Sequence, residues 1–294
     1  MANLKDIQRQ IKSVSNTQKT TRAMKLVSTA KLRRAKELAE RSKVFAQKLN
    51  EVIEEISTRI SCQKIGGIDN RACVQNDNPQ MIDLIFVTAD KGLCGGFNFH
   101  TIKAIKKLMA QYKDQKVKVR LRGIGKKGVE FFNYNEVEML DEVKDLSASP
   151  DMDRAAEFIQ ASMKDFMDGK IDGVTLVYNG FKNALVQELH INQVLPISVS
   201  CDDTVNASSV LEIEAEDNEK MLNSLISKYV EYNMYYALID SVAAEHSARM
   251  QAMDAATNNA KDLVKALNVQ FNKARQGAIT TELIEIISGV ESMK

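Results

Sequence analysis

The chain has 294 residues, 44% of them hydrophobic, with no tryptophan, three prolines and a formal net charge of +1. That is enough apolar material for a buried core, while the few aromatics leave at most a thin stacking platform for nucleic acid, and no apolar run reaches transmembrane length. The prolines stand at Pro79, Pro150 and Pro196, so both ends of the chain are open to long helices.

The first segment carries a heptad register. Steps of three and four residues pass through Leu4, Ile7, Ile11, Val14, Gln18, Thr21, Lys25 and Ser28, then Leu32, Ala35, Ala39, Ser42, Ala46, Leu49, Ile53 and Ile56. Such spacing predicts a coiled-coil helix over residues 1–60, about 80 Å long at the standard rise. Its middle is polar where a seam is normally apolar, which points to a face that meets something other than a simple helical partner. Residues 1–50 also hold thirteen Lys and Arg against three Asp and Glu. This basic stripe is either a solvated helix face or a surface for an acidic partner.

Residues 61–80 are rich in Gly, Asn and Pro and read as a linker loop. An α/β body follows over residues 81–210. Met81–Ala89 is an apolar run suited to a buried strand. Phe97–Tyr112 has helical period, Lys116–Ile124 alternates like a half-buried strand, and Met152–Asp168 is an amphipathic helix. Gly173–Tyr178 and Leu185–Val194 read as strands, and the alternation of types predicts one compact sheet domain. From residue 211 onward the helical register returns. Its seam runs from Leu222 through Tyr229, Tyr236, Ala243, Met250, Thr257, Val264 and Phe271 to Ala278.

The fold class is therefore α/β: a long antiparallel coiled coil of the two terminal helices, plus a central Rossmann-like domain. The second helix is the longer, so its end should project past the start of the first. That end, Leu283, Ile284, Ile286, Ile287 and Val290, is apolar nearly all round and needs cover from another protein.

Chemistry is hard to place. Gly123, Gly125 and Gly128 form GxGxxG between a strand and a helix, with Asp141 further on, which is the dinucleotide pattern. It follows the second candidate strand rather than the first, and a tight strand–helix turn is the preferred reading. There is no phosphate-binding GxxxxGK[ST] and no GxSxG nucleophile. His100, His190 and His246 match no zinc spacing. No catalytic residue, metal or cofactor is expected. Cys62, Cys73, Cys94 and Cys201 show no metal spacing and, with no signal peptide pattern, read as reduced cytosolic thiols. A redox pair of Cys62 and Cys73 is a minor alternative. The loop Asp90, Lys91, Gly92, Leu93, Cys94, Gly95, Gly96 is either a phosphate cradle or a structural turn. Besides a mechanical part, two further functions stay open: a nicotinamide-dependent enzyme resting on the GxGxxG, and a basic coiled coil on nucleic acid.

Three stretches carry a family resemblance. They are Asn16–Lys19 with Thr21–Arg34 (TRAMKLVSTAKLRR), Asp90–Asn98 (DKGLCGGFN) and Arg275–Val290 (RQGAITTELIEIISGV). Together they resemble the gamma subunits of F-type ATP synthases, in order along the whole chain. Val290 is a departure, since the family usually has Ala there. The resemblance implies a non-catalytic central stalk that couples proton flow to ATP synthesis, with the coiled coil inside a ring of alpha and beta subunits. It implies that the body meets the c-ring and the epsilon subunit, near Cys201–Glu216. It places partner contacts at Met24, Lys25, Arg33, Arg34, Arg249, Arg275, Gln276, Thr280 and Glu282, and gives Asp90, Lys91, Gly92, Cys94, Gly95 and Gly96 a structural role. With Met1 leading straight into the first helix and no transit peptide, it implies a bacterial protein on the cytoplasmic face of the inner membrane.

Overall fold

The terminal segments are each one unbroken helix, α1 (Leu4–Gln63) and α5 (Asn218–Glu291). This computed structural model describes residues 4–63, 71–73, 76, 78–197 and 218–293. The stretch from Cys201 to Glu216 and the side chains of Cys62 and Cys73 lie outside the described residues.

Between the long helices run β1 (Met81–Val87), α2 (Phe97–Asp114), β2 (Lys118–Ile124), α3 (Lys126–Tyr134) and β3 (Met139–Val143). They are followed by α4 (Met152–Met167), β4 (Gly173–Phe181) and β5 (Gln187–Leu195). The strands form one sheet in the order β3-β2-β1-β4-β5. All neighbours are parallel except β4 and β5, which pair antiparallel. By its contacts the chain divides into two compact units, Met1–Thr29 with Arg249–Lys294, and Ala30–Ala248. The first is a pair of helical segments and the second holds the sheet.

In the sheet unit, β1 is buried on both faces because its apolar run feeds two cores. Leu84 and Phe86 join Ile105 of α2 and Val129 and Phe132 of α3. Ile85 and Val87 join Phe158 and Ile159 of α4, Ile53 of α1, and Ile226, Val230 and Met234 of α5. Parallel strands covered on both sides are the usual consequence of such connections.

The alternating KVKVRLRGI stretch departs from the half-buried strand expected of it. Its last four residues, Leu121–Ile124, are buried, and Arg122 is only 2% exposed. The basic side chains point inward because carboxylates meet them there. Arg120 makes a two-pronged bond to Asp83 of β1, Nε to Oδ1 at 2.6 Å and Nη2 to Oδ2 at 2.9 Å. It also reaches Asp165 of α4 at 2.9 Å. Arg122 donates to Asp141 of β3 and to the Phe158 carbonyl, each at 2.8 Å, bonds Ser162, and lies over the Phe158 ring. Asp165 is held below the usual carboxylate range, first by the Lys170 ammonium and then by Arg120.

In the sheet unit the terminal helices pair antiparallel. Tyr232 donates to the Ser42 carbonyl at 3.1 Å, its ring meets that of Phe45, and Asn233 approaches Asn50. Small seam residues, Ala39, Ser42 and Ala46, are buried at this face.

Candidate functional site

The paired-helix unit is built on the two predicted seams. On α1, Ile7, Thr21 and Ser28 are buried, while Leu4, Ile11, Val14, Gln18 and Lys25 are half-buried. On α5, Met253, Ala260 and Leu267 are buried, and Thr257, Val264, Phe271, Ala274 and Ala278 are half-buried. The polar middle of the α1 seam does not face away from its partner helix, as its composition suggested. It meets matching groups on α5. The Thr21 and Thr257 hydroxyls lie 2.8 Å apart, and Lys25 Nζ donates to Asp254 Oδ1 at 2.6 Å. A hydroxyl or ammonium on a seam is tolerable when its bonding capacity is met across it. Asp254 stands beside Met253 of the seam and was not singled out from sequence. Its signal was its place directly after a seam residue, opposite a cation.

Lys25 and Asp254 are both substantially exposed. An exposed pair of this kind stabilises by about 0–1 kcal/mol. Lys25→Glu should therefore shift the thermal midpoint of the chain only slightly, which differential scanning of the variant measures.

Toward its carboxy end α5 outruns the pairing. Leu4 and Ile7 share a cavity of about 410 Å³ with Ala274, Gly277, Ala278 and Thr281. Beyond it, Leu283, Ile284, Ile286, Ile287 and Val290 are each between 52% and 63% exposed. Five large aliphatic side chains on one bare helical end form a contiguous apolar surface of the kind that marks a protein contact.

In the sheet unit the Asp90–Gly96 loop is tied into the fold. Asp90 Oδ1 accepts the Lys126 and Asp145 N–H groups, and Oδ2 accepts the Ser147 hydroxyl, so this carboxylate caps α3. Cys94 is buried with Ala89 and Phe97 against Ala244, Ala248 and Phe181. Gly95 has φ +57°. The GxGxxG glycines are likewise used up by packing. A side chain on Gly123 would strike Phe86, one on Gly125 would strike the Thr88 carbonyl, and one on Gly128 would strike Phe86 and Thr88. These glycines let β2 and α3 close onto β1. Among the described residues, no group of His, Cys, Asp and Glu is arranged to hold a metal ion.

A family profile described as "ATP synthase" matches residues 3–293. The ATP synthase gamma chain of Sulfurimonas denitrificans is 68% identical over the full length of both chains. That of Nitratiruptor sp. is 56% identical, again over the full length of both. The chain belongs to the ATP synthase gamma chain family. Its fold is shared with a chain of the Tetrahymena thermophila mitochondrial ATP synthase central stalk and c-ring, at TM-score 0.59 and 24% identity over 81% of this chain and 99% of that one. A chain of the Euglena gracilis mitochondrial ATP synthase matches at TM-score 0.64 and 15% identity, over 99% of this chain and 94% of that one.

The residues to which gamma-chain resemblance assigned partner contacts fall into three settings. Met24 and Lys25 lie half-buried at the polar seam, and Arg249 is 8% exposed. Arg275, Gln276, Thr280 and Glu282 are exposed on the last part of α5. In the sheet unit, Arg33 and Arg34 are exposed on α1, with Arg33 reaching Glu37 one turn on. Among the described residues no helix of this gamma-family chain is long and apolar enough to cross a membrane.

Proposed function

We propose that this chain is the central rotor shaft of a bacterial ATP synthase. It carries the rotation of the membrane c-ring to the beta subunits, where ATP is made, and performs no bond-making step itself. It works with the alpha–beta ring, the epsilon subunit and the c-ring, on the cytoplasmic side of the inner membrane. The observation that carries this reading is the bare apolar end of α5 on a chain related to gamma chains along its whole length. An apolar end whose only charges between Ile279 and Val290 are Glu282 and Glu285 makes a bearing. It excludes water from a surrounding sleeve yet offers few directional bonds that would lock one orientation.

Lower on the helices, Met24, Lys25 and Arg249 are the proposed contacts for acidic loops of the beta subunits. Lys25 already holds Asp254, so a partner carboxylate would share or exchange that ammonium. Exchange of exposed ion pairs is weak and reversible, as a rotor that releases each partner in turn requires.

ATP hydrolysis by purified alpha and beta chains, with and without this protein, tests the proposal. Addition should assemble a complex and raise turnover strongly. Removal of Thr280–Lys294 should weaken assembly or coupling, whereas Lys25→Glu should change torque transmission more than assembly. A chain that neither co-purifies with the ring nor alters its rate would overturn the assignment.

A further inference from the structure

Within the sheet unit, one face of α5 is bound to the β4–β5 hairpin by directional bonds. Asp240, Ala244, Ser247 and Ala248 share that face, because helical residues at such spacings line up. Asp240 Oδ1 accepts the Phe181 N–H, at the end of β4, at 3.1 Å. Two turns on, the Ser247 hydroxyl donates to the Ala184 carbonyl in the hairpin turn at 3.0 Å. The same hydroxyl accepts Gln187 Nε2, from the start of β5, at 3.3 Å. Ala244 and Ala248 belong to the cluster against which Phe181 packs. Gly180, having no side chain, leaves room for Asp240 beside β4.

The hairpin is braced within itself. The Lys182 N–H donates to the Val186 carbonyl at 3.3 Å. Asn183 Oδ1 accepts the Leu185 and Val186 N–H groups at 2.9 Å each, and Lys182 meets Glu188 across the hairpin at 3.1 Å. At its root, Val174, Leu176 and Tyr178 of β4 are buried in the core. It is thus a stiff arm of the sheet whose end grips α5.

Resting on the rotor-shaft reading, we propose that this hairpin is a key that stops α5 from rolling about its own axis. Asp240 and Ser247 are its positioning residues, and torque passes between the sheet unit and α5 through them. Side-chain tips lie about 5–6 Å from a helix axis, so a roll of about 10° carries them about 1 Å and takes bonds of this length out of range. The contacts of Ile226, Val230 and Met234 with the core hold α5 against the sheet but are non-directional. Glu231 bonds Gln160 of α4, and Tyr232 and Asn233 bond Ser42 and Asn50 of α1. Those residues stand farther from Ala248, the last residue of the sheet unit. A torque on α5 from beyond Ala248 therefore reaches the hairpin first.

Torsional stiffness tests the key in the complex with alpha and beta chains. With the ring fixed to a surface, it is read from the angular variance of a rod tethered to the sheet unit, taken during the dwells between steps. Asp240→Leu with Ser247→Ala removes all three bonds and should raise that variance roughly twofold, in a complex that still assembles and turns over ATP. Asp240→Asn keeps an acceptor for the Phe181 N–H and should hold the native variance. Ser247→Ala alone removes two of the bonds, should also raise the variance, and carries the test where Asp240→Leu does not fold. Native variance in both Ser247→Ala and the double variant would overturn the key while leaving the rotor-shaft reading intact. A native complex that never turns the rod would overturn that reading, and the key with it.

Discussion

Gly125→Val should abolish stable folding of the sheet unit, or lower its thermal midpoint by 10 °C or more, at about 2–4 °C per kcal/mol for a unit of this size. Two costs combine. Gly125 sits at φ +99°, ψ 130°, which a β-branched residue adopts only under strain of about 1–3 kcal/mol. Its new Cβ would also overlap the Thr88 carbonyl. That backbone cannot withdraw easily. Thr88 N–H donates to the Ile124 carbonyl at 2.8 Å, Gly125 N–H donates to Val143 at 2.9 Å, and the Thr88 hydroxyl receives the Gly128 N–H. Overpacking adds about 1–3 kcal/mol or more. Gly92→Ala is the control, because nothing stands within 4 Å of its would-be Cβ. It should stay within about 0.5 kcal/mol of the native chain. The same variants settle the dinucleotide alternative: the native chain should show no saturable nicotinamide dinucleotide binding for Gly125→Val to remove.

Asp83→Leu should cost roughly 3 kcal/mol in urea unfolding, and Arg120→Met in the same chain should recover most of it. Asp83 is fully buried and accepts two bonds from Arg120 and one from Ser162 at 2.5 Å. Removing one partner of a buried pair leaves the other uncompensated, at about 3–5 kcal/mol. The lower end applies because Arg120 keeps Asp165 and is partly exposed. Replacing both partners with apolar groups of similar volume is often neutral. A double variant no more stable than the single one would show that the pair is not the source of the cost.

Periodicity made the paired helices legible. Every α1 seam residue whose burial is described, from Leu4 to Ile53, is buried or half-buried, since a helix face depends only on spacing along one segment. The sheet unit was legible where strands were apolar and hidden where charge turned inward. Arg122 looked like a solvent-facing residue because Asp141, Ser162 and the Phe158 carbonyl reach it from 19 to 40 residues away in sequence. Strand β3 was missed because it lies at the sheet edge and its burial only alternates between half-buried and exposed. Along α5, reading a single seam missed a second one. Ile226, Val230, Met234 and Leu238 bury against the sheet unit's core, while Tyr232 turns to α1. Of the candidate site, the apolar end was plain in the sequence, but the partner of Lys25 was not, since Asp254 belongs to neither an apolar pattern nor a motif.

The composition of the paired-helix seam has a consequence for cooperativity. Around Thr21, Ser28, Thr257 and Ala260 the seam residues are small, so the turns there remove little apolar surface from water, at about 25 cal/mol per Å². The sheet unit, by contrast, locks Phe86, Phe132 and Phe166 into full burial. Amide protons of that stretch should therefore exchange through shallow local openings, while those of β1 and β4 exchange only when the sheet unit unfolds. A shaft with weak internal glue takes its rigidity from whatever encloses it, so its stiffness is a property of the assembly rather than of the chain.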